Sequence, residues 1–321
     1  MTEEIMRHNT GDFAHTPVMY REILSYMDEV KDLGDKIIVD CTMGEGGHSS
    51  MILERFPSVR LVSFERDPEI FAIGQKRLAP WGERVRCVNA NFSGIKANLA
   101  GLEGKVSAIL YDFGISSFHF DRSGRGFSYA GDEPLDMRLD PSCPFDAAHV
   151  VNTYPFEKLA HVIGTYGEER WAGRIARRIC SERERSPITT AGRLAEIVMA
   201  SQPGKYREER IHPATRTFQG LRIEVNGELR AIEESLNVSW EFLAKGGRII
   251  AMSFHSLEDR IAKHTFKTLE RGCACERNDL CNCVRVPKVK ILTKKPVEPQ
   301  EDEIAANRRA RSAKIRVCER I

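Results

Sequence analysis

Short apolar runs alternate with helix-period stretches through the first third of the chain. KIIVD (36–40) is a continuous apolar run and reads as a buried strand. DCTMGEGGHSS (40–50) follows it as a glycine turn, opening a helix that runs to about Arg55. RLVSFERD (60–67), VRCVNANF (85–92) and VSAILYDFG (106–114) supply three more strands. PEIFAIGQKRLAP, with Pro68 near its start, is a helix between the first two of them. Strands separated by helical stretches predict a parallel sheet with crossover helices.

The alternation stops at residue 117. Loop signals (Gly124, Gly126, Gly131, Pro134, Pro141, Pro144) come first, then helical stretches such as EERWAGRIARRICSERER, with Trp171, Ile175 and Ile179 at helical spacing. The α/β pattern returns with a helix around 218–244 and the strand GRIIAMSFHS (247–256). Another helix, a polar cysteine-containing stretch (272–285) and the strand-like AKIRVCER (313–320) follow. The expected architecture is an α/β domain split between 1–116 and 218–321, with a helical insertion at 117–217.

Composition narrows the setting. The 321 residues are 41% hydrophobic and 29% charged, as in a soluble globular protein. No apolar run approaches the roughly 20 residues of a membrane helix, and the N-terminal stretch has no apolar signal core. The expectation is a cytoplasmic protein without a membrane partner. Five of the nine cysteines (Cys41, Cys87, Cys143, Cys180, Cys318) are scattered, as expected of reduced thiols. Net charge is +2, yet from Val284 to Ile321 eleven Lys or Arg face five Asp or Glu. Such a tail suits an anionic macromolecule, or is simply a solvated basic surface.

Glycine turns after a strand serve dinucleotides, flavins, nucleotides and S-adenosylmethionine alike, and some serve only tight packing. Here Ser49 stands where the dinucleotide fingerprint has its third glycine, and Glu45 would set a carboxylate near two phosphates. S-adenosylmethionine brings an ammonium, a sulfonium and no phosphate. Glu65 lies 21 residues after Gly44, where an acid can accept both ribose hydroxyls. Asp112 ends the fourth strand, and Asn91-Phe92 ends the third, where an aromatic can cover adenine. An adenosyl ligand without phosphates fits these strand ends best.

Nine segments then resemble, in order and nearly end to end, the MraW/RsmH-type methyltransferases that modify the N4 amine of a cytidine in small-subunit ribosomal RNA. They are HTPVMYREIL (15–24), DCTMGEGGHS (40–49), DFGISS (112–117), RGFSY (125–129), PLDMRLD (134–140), YGEERWAGRIARRI (166–179), HPATRTFQGLRIEVNGEL (212–229), SFHSLEDRIAKH (253–264) and NRRARSAKIRV (307–317). The resemblance implies a Rossmann-like S-adenosylmethionine-dependent methyltransferase sheet interrupted by a helical, RNA-recognising domain. It implies cofactor contacts at Gly46, Gly47, His48, Phe92 and Asp112. Glu65 replaces the usual aspartate on the ribose. His119 replaces a glutamine and is kept as a contact that can donate a hydrogen bond. The implied partner is 16S ribosomal RNA at its decoding region, within the small subunit, for a monomer or homodimer.

A cytosine amine is a poor nucleophile and needs in-line positioning and an acceptor for its proton. Candidates are Asp112 and the polar exit of the late strand: Ser253, His255, Glu258 and Asp259, with Ser256 as the expected helix N-cap. Arg216 and Arg222 are candidates for phosphate, and Asn226 for a base edge. Arg222 and Asn226, four apart, share one helix face; a surface ion-pairing face is the plainer reading of all three. Arg170 and Arg174, with Arg177 and Arg178, form a candidate RNA platform, and NRRARSAKIR a second basic strip. Cys273, Cys275, Cys281 and Cys283 form C-x-C-x5-C-x-C, open to three readings: structural zinc, reduced thiols or a disulfide. Two other functions remain open. A nicotinamide-dependent oxidoreductase is opposed by Glu45 and Ser49, and a non-catalytic ribosome-assembly factor by the cofactor-loop residues, Glu65 and Asp112.

Overall fold

The computed structural model describes residues 17–129, 131–203, 212–275 and 281–321. Seven strands form one sheet: β1 (Ile37–Asp40), β2 (Arg60–Glu65), β3 (Val85–Asn89), β4 (Val106–Asp112), β5 (Leu243–Ser253), β6 (Val289–Ile291) and β7 (Lys314–Arg320). Their order is β3-β2-β1-β4-β5-β7-β6, with β7 antiparallel to both neighbours and β1 to β5 parallel. This is the Rossmann-like sheet expected. The order reverses between β1 and β4, and at such a switch point the strand ends open a crevice.

Strand alternation divides the apolar residues between two faces. Ile37, Val39, Ile109, Tyr111 and Ile249 pack on one side, and Ile38, Leu61, Leu110, Ile250 and Met252 on the other. On the second face lie α1 (Tyr20–Asp28), α2 (Gly47–Arg55) and α3 (Pro68–Leu78). On the first lie the short α4 (Ile95–Asn98) and, from the later chain, two longer helices.

The inserted region contains α5 (Ser117–Asp121), α6 (Ala147–Thr153), α7 (Phe156–His161), α8 (Ala172–Arg183), α9 (Ala191–Ser201) and α10 (Thr215–Asn226). Ile175 and Ile179 are fully buried in a separate helical core, as their spacing predicts. That core also takes Phe218, Leu221 and Val225 from α10, so helical packing continues past residue 217, where the insertion was expected to end. The single helix expected around 218–244 is two helices. Gly227, at φ +60°, breaks it, and α11 (Glu228–Ser239) turns to pack Ile232 and Leu236 on the sheet. A left-handed residue is nearly free for glycine and strained for other residues. Tyr111 Oη of β4 meets Ser235 and Ser239 Oγ of α11 at 2.5 Å each.

The long α12 (Ser256–Arg271) leaves β5, and α13 (Glu301–Ala306) precedes β7. Asp302 at α13 pairs with Arg21, and Glu303 accepts from Met19 N, so the late chain holds α1 in place. Among the described residues no helix is long and apolar enough to cross a membrane.

Candidate active site

The turn between β1 and α2 is fixed from beneath by buried polar groups. Asp40 accepts from Thr42 N at 3.0 Å and from Ser49 Oγ at 2.7 Å, and Ser49 Oγ also meets Ser63 Oγ at 2.6 Å. Ser49 therefore ties α2 to two strands. From the side, α3 comes so close that a Cβ on Gly74 would sit 2.6 Å from the Gly44 carbonyl. Only a glycine in α3 allows that approach. Gly46 and Gly47 are thereby held at the start of α2, which presents backbone N–H groups and the positive end of its dipole.

Two acid-bearing strand ends meet this turn. Glu65, ending β2, accepts from Gly44 N at 3.0 Å and Asp67 N at 2.8 Å. Burial, with the Asp67 charge adding to it, pushes Glu65 up to about 7. Asp112, ending β4, donates its backbone N–H to Thr42 Oγ1 at 2.7 Å. Its Oδ2 lies 3.4 Å from His48 Nδ1, and its buried Oδ1 has no hydrogen-bond partner. His48 Nε2 meets Val18 O at 3.0 Å. Burial opposes a charge on that ring, but Asp112 and Asp40 outweigh it and raise its pKa. Phe92, half-buried, packs edge-on to Tyr111 with centroids 5.6 Å apart, and lies 6.2 Å from Phe113. The structure thus gathers Gly46, Gly47, His48, Glu65, Phe92 and Asp112 at one end of the sheet.

Two expectations about this end change. Glu45 does not depend on a cationic ligand for its countercharge, because Arg122, following α5, forms an ion pair with it. His119 does not offer a donor. Its Nε2 lies 2.9 Å from Asp67 Oδ2, and Arg125 pairs with the same carboxylate. Burial opposes ionisation of Asp67, but His119 and Arg125 outweigh it and hold its pKa low. Burial lowers the His119 pKa. A neutral ring donating to a carboxylate through Nε2 leaves Nδ1 as a bare acceptor, and Nδ1 is buried without a partner. Asp67 and Arg125 were not singled out in the sequence; Asp67 as the cap of α3 and Arg125 at the head of RGFSY were the available signals.

The exit from β5 divides its polar residues sharply. Ser253 is buried, with its Oγ 3.4 Å from Lys314 O. Asp259 forms a two-pronged bond with Arg316 of β7, at 2.6 and 3.0 Å. Ser256 bonds Glu168 and is the first residue of α12, with His255 in the cap position expected of Ser256. These contacts give Ser253 and Asp259 a structural part: both hold the strand and helix together. His255 and Glu258 remain. Glu258 is fully buried, and Oε2 accepts from Phe254 N and His255 N at 2.8 and 3.2 Å. Burial would raise its pKa, but His255 and Arg222 hold it below the ordinary carboxylate value. Its Oε1 lies 3.0 Å from His255 Nε2 without hydrogen-bond alignment, leaving both ring nitrogens and Oε1 unsatisfied. A Cβ on Gly114, two residues beyond Asp112, would come within 3.9 Å of that oxygen. Glu228 joins this group, its ligand atom within 4.8 Å of theirs. A cation there would have to displace Arg222, which bonds both Glu228 oxygens at 2.9 Å.

Two of the three RNA candidates of α10 have partners within the protein. Arg222 is spent on Glu228. Asn226 accepts from Leu139 N at 2.8 Å and donates to Met137 O and Arg222 O at 2.8 and 2.9 Å, so its amide has no donor left for a base edge. Arg216 is exposed, as are Arg170 and Arg174, which flank Trp171 with guanidinium carbons 5.3 and 5.6 Å from its ring. Tyr129 stacks on His212 with centroids 4.0 Å apart and is 38% exposed, an aromatic face the sequence reading passed over. In the basic tail, Arg309 pairs with Asp121 and Arg316 with Asp259, so the strip is partly structural.

The chain matches the MraW methylase family over residues 12–321. It is 46% identical over 315 residues to the ribosomal RNA small subunit methyltransferase H of Geotalea daltonii, covering 97% of this chain and 100% of that one. It is 44% identical over 313 residues to the protein of the same name from Carboxydothermus hydrogenoformans, covering 97% and 99%. Among solved structures, an rRNA methylase from Streptococcus thermophilus aligns over 97% of this chain and 99% of that chain, with a TM-score of 0.43 and 9% identity. That last likeness is too loose to bear on the site. With a family match spanning almost its whole length, the chain belongs to the MraW methylase family.

Proposed function

We propose that the protein is an S-adenosylmethionine-dependent methyltransferase acting on the N4 amine of a cytidine in the decoding region of 16S ribosomal RNA. Family membership supports methyl transfer, and the relatives' names support small-subunit ribosomal RNA as substrate. The observation that carries the reading is Asp112 Oδ1, a buried carboxylate oxygen without a donor at the end of β4. A buried acceptor left open calls for a donor from outside the protein, and an amine or ammonium supplies one.

The residues present fit S-adenosylmethionine, which when bound supplies a methyl group activated on a sulfonium. The N–H groups of Gly47 and His48 face its polar end, that of Gly46 being spent on Met43 O, and Glu65 retains a lone pair on each oxygen for ribose hydroxyls. Phe92 offers an apolar wall, and His119 Nδ1 an acceptor for an exocyclic amine. On the substrate side, Asp112 orients the cytidine amine by accepting one of its protons in a hydrogen bond. An amine that accepted the methyl group would have to lose a proton. His255, held against ionised Glu258 with both ring nitrogens unsatisfied, is the group assigned to receive it.

A paired cytosine cannot present N4, so the base is taken single-stranded or flipped out. Arg170, Arg174 and Arg216 on the helical region serve phosphates, and Tyr129 offers a stacking face. The substrate is met within the small ribosomal subunit, in the cytoplasm, by a monomer or homodimer. Incubating the protein with 16S RNA or small subunits and methyl-labelled S-adenosylmethionine tests the reading. The label is expected in N4-methylcytidine after digestion to nucleosides. Label in another nucleoside overturns the specificity, and no transfer despite tight cofactor binding favours an assembly factor.

A further inference from the structure

We infer that Cys273, Cys275, Cys281 and Cys283 form a structural zinc site that fastens the loop between α12 and β6. The five residues between Cys275 and Cys281 lie outside the described residues, but all four sulfurs are described. Cys273 and Cys281 Sγ are 3.4 Å apart, Cys275 and Cys283 Sγ 3.1 Å, and all four lie within 4.8 Å of one another. Four bonds of about 2.3 Å to one zinc ion set sulfur–sulfur edges near ~3.8 Å, the middle of that range. No pair is at the ~2.05 Å of a disulfide. Two disulfides need only two close contacts; here all four thiols converge on one point, which suits a single cation.

The surroundings support a metal. The loop's base is closed on both sides of the cluster: Val286 N donates to Gly272 O at 3.1 Å and Lys288 N to Leu269 O at 2.9 Å. Arg271 donates to the Cys273 and Cys275 carbonyls at 2.9 and 2.6 Å, which fixes the first C-x-C. Cys275 N–H donates to Cys273 Sγ at 3.4 Å, a bond of the kind that steadies a metal-bound thiolate. Beyond Cys273 the described residues of the loop have little apolar anchorage, since Val284 is 87% exposed and Val286 50%. A loop without a core of its own is the setting in which metal binding supplies the folding free energy. Four thiolates with no histidine or carboxylate select zinc or iron over harder cations.

The test uses the full chain, purified under reducing conditions, stripped by a chelator, reloaded with zinc and desalted. About one equivalent of bound zinc is expected, and cobalt loaded in its place should show the spectrum of a tetrahedral thiolate complex. The Cys281→Ser, Cys283→Ser double variant should hold less than about a tenth of an equivalent, while Cys143→Ser holds as much as the parent. The inference is overturned if the parent holds below that tenth, if the double variant binds as well, or if the thiols are recovered as two disulfides without metal. It is equally overturned if iron, offered in competition, excludes zinc. The cobalt spectrum decides the matter on the parent chain even if the double variant fails to fold.

Discussion

The turn after β1 and the turn after β5 leave the two strands that flank β4, open α2 and α12, and are both rich in polar residues. They use them differently. After β1, Asp40, Thr42 and Ser49 bond one another beneath the loop, leaving an unsatisfied oxygen on Asp112 above it. After β5, Ser253, Ser256 and Asp259 are drawn off to Lys314, Glu168 and Arg316, leaving only His255 and Glu258 unsatisfied. Polarity at a strand end therefore does not mark reactivity. The atoms left without partners after the fold has taken its share are the better guide.

The largest expected effect lies at the first turn. Asp112→Ala should lower methyl transfer to ribosomal RNA by roughly a thousandfold, with a thermal midpoint close to that of the parent. Normal methylation by this variant removes Asp112 from both its cofactor and amine roles. At the second turn the contrast is between neighbours. His255→Ala should lower the transfer rate by about a hundredfold without weakening cofactor binding. Asp259→Ala should instead destabilise by about 3 kcal/mol in denaturant melts, with activity per folded molecule retained. If both variants lose activity equally at equal stability, the division drawn above is wrong.

A smaller effect concerns pH. Glu65 sits at about 7 in the folded protein against an ordinary 4.5, so the bare protein loses stability as pH rises through that window. Ribose hydroxyls donate to the ionised form, so cofactor binding has the opposite slope. Affinity for S-adenosylhomocysteine should weaken about tenfold between about pH 8 and about pH 6. Glu65→Gln should flatten that slope in calorimetric titrations, and a parent with no slope refutes the ribose assignment. Least of all, Arg216→Ala should weaken RNA binding a few-fold and reduce the salt-dependence slope by about one. An unchanged slope takes Arg216 out of the phosphate contacts.

The interior of the sheet was legible because strands buried on both faces read as unbroken apolar runs. Their ends were less so: β2 stops at Glu65, and β5 starts at Leu243, upstream of the expected residue 247. The three-residue β6 exists only because β7 lies beside it, and its sequence carries no such signal. Gly227 was visible, but a single glycine in a helical pattern does not say whether the helix bends or ends. The cofactor turn could be read because its residues are contiguous. What Asn226 does could not, because its partners Met137 and Leu139 lie 89 and 87 residues earlier. The Asp67–His119–Arg125 group has the same character: three segments joined only by folding.

The position of β7 bears on how the protein is made. It follows the other six described strands along the chain, yet it lies between two of them. While residues 314–320 are still inside the ribosome, β6 has no neighbour to pair with and β5 has an open edge. Arg316 is also not yet available to Asp259, so α12, which carries Glu258, lacks its tie to the sheet. A nascent chain thus holds the complete β1 turn and an unfinished β5 turn, and the second half of the site closes only once residues 314–320 have emerged.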